Sequence, residues 1–263
     1  MNVKFAARVD IGPKETNDDR VLADGKILNM ELHEGTVATP SAFVVCDGCG
    51  GYAGGWIAAE TALGVLAAEE ATKLLSEEYL AEVLARCEDA IVKKKEKMPQ
   101  YSAMCTTVAG CVFGEDSTVF FHSGDSRVYR CDRWGLAKMT RDHSLVQEMV
   151  DMGQLTPDEA REHPKRNIIR RCLGVGAPPP DIYVAGVPIA AGEKYLMCSD
   201  GLWEVLEEED IINILSMDIQ AASMVDALVE LALERGAHDN ISACVCMTEG
   251  DSEEEGTKPF VLD

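Results

Sequence analysis

An apolar run that stops on an acid constrains this chain more than any other feature. Residues 42–46, Ala-Phe-Val-Val-Cys, have the β-branched and aromatic make-up of a buried strand, and Asp47-Gly48-Cys49-Gly50-Gly51 follows at once. A carboxylate at the end of a core strand is costly unless a cation or several donors meet it. The glycines beyond it remove side chains, so the backbone can turn sharply and approach a ligand closely. The pattern recurs, because a second apolar strand over residues 193–198 runs into Ser199-Asp200-Gly201. Each Asp-Gly alone reads equally well as the cap of a tight turn. The repetition favours a shared task.

The remaining elements alternate between the two periods. Residues 3–10 read as a strand broken by Gly12-Pro13, and a polar loop, Lys14 to Asp19, precedes Val21-Leu22. Residues 23–41 read as strand ends and loop. Residues 56–75 carry apolar or small side chains on most sides, which predicts a largely buried helix. Leu80, Val83, Leu84, Cys87 and Ile91 mark a clearer amphipathic helix, and Lys93-Lys94-Lys95 complements the negative end of its dipole. Strands over 106–113, 118–122, 127–131 and 136–139, separated by short turns, predict an antiparallel meander. Residues 144–173 turn helical, with Pro157 early in a second short helix after a Thr156 cap. Strands at 182–187 and 193–198, helices at 208–217 and 221–234 and a strand at 241–247 complete the pattern.

A chain of 263 residues is long enough for one large core, and 1–248 reads as a single domain followed by an acidic tail, 249–263, expected to be mobile. The 24 basic against 46 acidic residues give a net charge of −22, which disfavours nucleic acid and anionic lipid as partners. No apolar run has the length of a membrane span, and residues 1–10 lack the pattern of a signal peptide. The ten cysteines sit mostly inside apolar stretches, the pattern of reduced buried thiols in a cytoplasmic protein. Cys46-x-x-Cys49 has no second pair at zinc-ribbon spacing.

Asp18 and Asp19, Asp47, Asp125, Asp200 and Asp239 therefore all stand at strand ends or in flanking loops. Carboxylates gathered at one end of two sheets repel one another unless divalent cations neutralise them. With no His or Cys set at metal spacing, an all-oxygen shell favours Mg²⁺ or Mn²⁺ over Zn²⁺. One carboxylate shared by two ions makes a site suited to activating water against a phosphate.

The stretches Asn17-Asp18-Asp19, Val45 to Gly51, Cys105-Thr106-Thr107, His122 to Tyr129, Leu136 to Ser144, Cys198 to Trp203 and Asp239 to Ser242 occur in one order along the chain. In that order the sequence resembles the metal-dependent, type-2C or PPM, serine/threonine protein phosphatases of the compact bacterial kind. The resemblance implies an α+β fold: a four-layer α/β/β/α sandwich of two antiparallel sheets flanked by helices, with a metal cleft at one end. It implies that Asp47 bridges two Mn²⁺ or Mg²⁺ ions with help from the Gly48 carbonyl, and that Asp200 and Asp239 complete the set. Asp125 with Asp200 could hold a weaker third ion. Asp18 and Asp19 bind or orient metal-bound water. The implied reaction is in-line attack of a metal-bridging hydroxide on a phosphoserine or phosphothreonine. The partners implied are phosphoproteins made by a serine/threonine kinase, met by a monomer. Residues 145–168 match a flap beside the cleft; their plainer reading is a helical hairpin over a sheet edge.

Three positions depart from the family pattern. Asp18 stands where Glu is common and is one methylene shorter. Lys14 stands where an Arg often grips the substrate phosphate; it keeps the charge and loses the bidentate fork, which weakens phosphate binding. Cys49 replaces a His or Met, so no side chain is assigned as general acid. With ions bound nearby, Cys49 is expected to be an electropositive, oxidant-sensitive thiol, modified singly rather than bridged to Cys46, which should face the core. Two alternatives remain at this level: a pseudophosphatase that binds phosphoproteins without hydrolysis, and a non-catalytic divalent-ion binder, although no EF-hand spacing is present.

Overall fold

The computed structural model describes residues 1–49, 54–186 and 189–249. In chain order it contains β1 (Asn2–Asp10), β2 (Arg20–Ala23), β3 (Lys26–Leu28), β4 (Leu32–Ala38), β5 (Ser41–Cys46), β6 (Gly48–Cys49), α1 (Gly55–Ala67), α2 (Ala71–Leu74) and α3 (Glu77–Lys97). Then come β7 (Cys105–Thr106), β8 (Val108–Phe113), β9 (Thr118–Ser123), β10 (Arg127–Asp132), β11 (Gly135–Lys138), α4 (Leu145–Asp151) and α5 (Pro157–Glu162). Last are β12 (Asp181–Ala185), β13 (Lys194–Cys198), α6 (Asp200–Trp203), α7 (Glu208–Leu215), α8 (Ala221–Glu234) and β14 (Ile241–Glu249).

The strands form two antiparallel six-stranded sheets, β11-β10-β13-β14-β1-β4 and β12-β9-β8-β5-β2-β3, plus a two-stranded ribbon of β6 and β7. Phe5, Phe43, Phe113, Phe120 and Tyr195 fill the space between the sheets. Neighbouring rings lie at 5.8 Å (Phe43–Phe113) and 4.9 Å (Phe113–Tyr195), the tilted and edge-on spacings that aromatic quadrupoles favour. A second core seals α1 and α3 onto one sheet through Leu63, Leu84 and Ile91 against Val44 and Phe121. A third seals α8 onto the other through Leu228 and Val229 against Leu196 and Val245. The α/β/β/α order follows, as the resemblance implied.

Local signals set the clearest elements. α3 opens on Ser76, whose side chain accepts from the Tyr79 amide, and closes with Lys94, Lys95 and Lys97 in its last turn. α5 opens on the Thr156–Glu159 capping box with Pro157 in its first turn. Helix 221–234 has the expected bounds. No helix among the described residues is long and apolar enough to cross a membrane.

Four expectations change. The meander breaks between β9 and β10, which lie in different sheets: β10 pairs with β13 in the register Arg127↔Cys198. Residues 23–41 hold two strands, β3 and β4, and β4 escaped notice because it is an edge strand with mostly exposed side chains. Residues 144–173 are helical only in α4 and α5, and residues 163–180 run irregularly. A short helix that the pattern did not show, α6, begins on Asp200. Gly50, Gly51, Val187 and the acidic tail from 250 lie outside the described residues.

Candidate metal and phosphate site

Register alone brings the acids to one end of both sheets. In one sheet Asp10 pairs with Ile241 and Arg127 with Cys198, so Asp239, Asp125 and Asp200 leave from the same edge. In the other, Arg20 pairs with Cys46 and Val108 with Ser123, which sets Asp18-Asp19 beside Asp47 and near Asp125. Asp125 belongs to both groups because it sits where the chain crosses between sheets. There Gly124 takes φ +118, and a Cβ on it would lie 2.6 Å from Thr107 Cγ2.

The acids stand in two tiers. Lys14, Asp18, Asp47, Gly48, Asp200 and Asp239 line a cleft of about 630 Å³, together with Trp56 and, from beyond α5, Asn167 and Ile169. Asp19 and Asp125 lie behind it, 1% and 2% exposed. The Ser199 and Ser242 hydroxyls both donate to Asp19 Oδ2 at 2.7 Å. The Trp56 amide donates to Asp18 Oδ1 at 2.9 Å, which ties that carboxylate to the start of α1. Lys14 Nζ lies 3.0 Å from the Asp239 carboxylate.

The turns that carry the acids are held by threonine hydrogen bonds and by close backbone approaches that leave no room for a Cβ. Thr107 accepts from the Asp47 amide at 3.0 Å, and Thr106 Oγ1 and the Thr107 amide donate to the Asp47 carbonyl at 2.9 and 2.8 Å. A Cβ on Gly48 would fall 2.3 Å from the Gly55 backbone, and one on Gly201 2.0 Å from the Asn240 carbonyl oxygen. Asn240 stitches the loop between α8 and β14 to the loop between β1 and β2 at three points: its Nδ2 donates to the Ile11 and Thr16 carbonyls at 2.8 and 2.9 Å, and its Oδ1 accepts from the Asp18 amide at 2.9 Å.

Every buried acid of the cluster is pushed up from the ordinary carboxylate range. Burial is the first cause throughout. For Asp47 the charges of Asp200, Asp19, Asp125 and Asp239 follow; for Asp200 those of Asp125, Glu204, Asp239 and Asp19. Asp125 rises to about 7 through burial and then Asp142. Asp19 rises only to about 6, because its two serine donors act against burial. Asp125 Oδ1 is buried without any hydrogen-bond partner. Mutually repelling carboxylates around an open cleft, one of them with an unsatisfied buried oxygen, fit hard divalent cations. Phosphate would be repelled from the bare acids and attracted once ions balance them.

The residues expected at the site are thus brought together: Lys14, Asp18, Asp47, Gly48, Asp200 and Asp239 in the cleft wall, Asp19 and Asp125 behind it. Sequence reasoning quoted Ser199, Asn240 and Ser242 but gave them no task, because their partners lie more than 150 residues away along the chain. The thiol at Cys49 meets a neighbour the spacing did not suggest. Cys46 is buried in the helix-side core, whereas Cys49 Sγ lies 3.6 Å from Cys105 Sγ. Hydrogen bonding with Cys105 and Cys172, then burial, pushes the Cys49 thiol up rather than down. All ten cysteines are free.

Known proteins share this fold. The chain is 32% identical to the protein phosphatase PhpP of Streptococcus pneumoniae over 258 residues, 95% of this chain and 100% of that protein. It is 32% identical to the serine/threonine phosphatase stp of Listeria monocytogenes over 81% of this chain and 86% of that one. It is 31% identical to the serine/threonine protein phosphatase PstP of Mycobacterium tuberculosis, matching 92% of this chain but spanning only 44% of PstP, less than half its length. The crystal structure of the M. tuberculosis phosphatase PstP/Ppp superposes with a TM-score of 0.83 at 30% identity over 95% of this chain and 100% of that one. The PstP catalytic domain in complex with two manganese ions superposes at 0.80, at 29% identity, over 95% and 99% of the two chains. No family model matches the chain. Near-complete coverage by phosphatases of the same fold leads to one conclusion: the chain belongs to the metal-dependent (PPM) serine/threonine protein phosphatase family of bacterial type.

Proposed function

We propose that this chain hydrolyses phosphoserine and phosphothreonine in proteins at the acid-lined cleft. The observation that carries the reading is the convergence of Asp47, Asp125, Asp200 and Asp239, from four separate segments, around one cleft with a lysine on its rim. The Asp47, Asp200 and Asp239 carboxylates and the Gly48 carbonyl would hold two Mn²⁺ or Mg²⁺ ions, and Asp125 with Asp200 a weaker third. Bound there, the ions supply Lewis-acid activation of water and of the phosphoryl oxygens. The chain's own residues do the rest. Lys14, 3.0 Å from Asp239, is placed to leave that carboxylate for an incoming phosphate. Asp18, fixed by the Trp56 amide, and Asp19, fixed by two serines, orient water at the back of the cleft. Among the described residues no side chain is assigned as a general acid, and the leaving alkoxide would take its proton from cleft water.

Residues 145–168 act as a flap over one catalytic unit formed by residues 1–248, and support comes from Asn167, at the end of that segment, and Ile169 just after it, both in the cleft wall. The substrates are phosphoproteins made by a serine/threonine kinase, and the setting is the cytoplasm, in keeping with ten free thiols. The test is Mn²⁺-dependent phosphate release from a phosphothreonine peptide, compared with a phosphotyrosine peptide and with EDTA. Release from the first alone, abolished by EDTA, is expected. Binding of the phosphothreonine peptide without release would overturn the reading.

A further inference from the structure

Two groups of three metal-ligating side chains come within 4.8 Å of one another among the described residues, and neither belongs to the acid cluster. One is His122, His143 and Asp181. A cation already sits there: Arg171 reaches His143 Nε2 at 3.1 Å and Asp181 Oδ1 at 2.7 Å, and His122 Nε2 is taken up by the Arg141 backbone at 2.7 Å. That group is an ion-pair network.

The other is Cys49, Cys105 and Cys172. Three pieces of chain, distant in sequence, hold the sulfurs together. Cys49 pairs with Cys105 across the β6–β7 ribbon, and Leu173 bridges to Thr106, with its amide donating at 2.8 Å and its carbonyl accepting at 3.1 Å. Cys105 and Cys172 are 8% and 7% exposed, whereas Cys49 lines the cleft. The Cys49–Cys105 Sγ separation is 3.6 Å. A disulfide needs about 2.05 Å. Two sulfurs bonded at about 2.3 Å to one tetrahedral ion stand roughly 3.8 Å apart. Lys95 lies near Cys105 and donates to the Gly174 carbonyl, which puts a positive charge beside the Cys105 sulfur, while Glu88 lies on the Cys172 side.

We propose that Cys49, Cys105 and Cys172 form a three-thiolate site for one soft, tetrahedral divalent cation of the zinc class, with water from the cleft as the fourth ligand. Thiolate softness separates this site from the oxygen-lined one, so the two take different ions. Binding displaces three thiol protons to solvent, and the net single negative charge of the complex faces Lys95. The ion would clip the turn that follows Asp47 to the segment just after Ile169, fastening one wall of the cleft to the other.

The site is tested optically on reduced, Mn²⁺-loaded enzyme titrated with Cd²⁺, whose thiolate charge-transfer band the oxygen site does not give. One equivalent should saturate the band, and Zn²⁺ should displace it. Cys49→Ser, Cys105→Ser and Cys172→Ser should each weaken Cd²⁺ binding by at least ~10²-fold, more than the loss of an outer hydrogen-bond partner would, while Cys111→Ser leaves it unchanged. Because a buried cysteine variant can fail to fold, the wild type gives an independent reading: Cd²⁺ should protect Cys49 from N-ethylmaleimide, as mapped by mass spectrometry. Absence of the band, its persistence in folded Cys49→Ser, or unchanged alkylation of Cys49 would each overturn the site. None of these readouts depends on phosphate release, so this proposal and the proposed activity fail separately.

Discussion

Asp47 is the residue on which opposite effects separate most cleanly. Its carboxylate is pushed up by burial and by four neighbouring acids, so without cations it destabilises the fold, whereas the proposed ions would turn the same charge into a ligand. Asp47→Asn should lower turnover by at least ~10³-fold, since both ions lose their shared ligand. The same change should raise the melting temperature of the protein in EDTA. A variant with near-normal turnover at saturating Mn²⁺ would refute the bridging role. Asp125→Asn, behind the cleft, should retain the first two ions and lose activity or its dependence on added metal. Lys14 tests phosphate binding: a hydrogen bond to a charged group contributes about 1.5–3 kcal/mol, so Lys14→Ala should lower kcat/KM roughly 10- to 100-fold, mostly through KM. Lys14→Arg, with its bidentate fork, should lower KM below the wild-type value. Steady-state kinetics on one phosphothreonine peptide reads all four.

At the scale of elements, the site depends on turns pressed against each other and on one anchored strand. Gly201 opens α6 against the Asn240 carbonyl, and a methyl there has nowhere to go. Gly201→Ala should cost about 1–3 kcal/mol by overpacking, measured by urea denaturation, and displace Asp200 from Asp239. Arg127 fixes β10 beside the site. It grips Asp142 at 2.6 Å, lies 3.5 Å from the centroid of the Trp203 ring and donates to the Tyr129 hydroxyl at 2.9 Å. Burial pushes Asp142 up, but Arg127 and then Lys138 outweigh it and hold the carboxyl below its ordinary range. The Trp203 indole in turn donates to the Asp125 carbonyl at 2.9 Å. Arg127→Ala leaves the buried Asp142 with Lys138, 3.5 Å away, as its remaining cation, and the lost charged hydrogen bonds should cost about 1.5–3 kcal/mol. Denaturation midpoints little changed from the wild type would show that Asp142 finds water instead.

The whole molecule registers the site through pH and metal together. Asp19 and Asp125 titrate at about 6 and about 7 in the folded protein against 3.8 in the unfolded chain. Between those values the folded state binds more protons, so their contribution to stability falls as pH rises from about 4 to about 7. His122 acts oppositely: burial and then His143 lower it to about 4, so its contribution grows with pH up to its unfolded value. Metal should remove the first effect and leave the second. The gap between melting curves in EDTA and in millimolar Mn²⁺ should therefore widen from pH 5 to pH 7.5. At a hundredfold excess over Kd, cations that bind only the folded state add about 2.7 kcal/mol. Superimposable curves at both pH values would mean that no metal site assembles.

The chemistry of this protein was written locally. An apolar strand ending in Asp-Gly needs only adjacent residues to be recognised, and so do the Thr156 capping box and the amphipathic period of residues 221–234. Those signals are short-range because they arise from backbone sterics, side-chain periodicity and the cost of burying charge. Long-range pairing decided the rest. The turn at Gly124 to Ser126 reads locally as a hairpin of a meander, and only the pairing of Arg127 with Cys198 carries β10 into the other sheet and Asp125 to the site. Ser199 and Ser242 acquire a task because Asp19 arrives between them from the far end of the chain. Cys49, Cys105 and Cys172 have no sequence spacing of a metal motif, and become neighbours only when β6, β7 and the bridge at Leu173 close on one another. A side chain's own chemistry is fixed by its residue type, but which groups it meets is fixed by register, and register is a property of the folded whole.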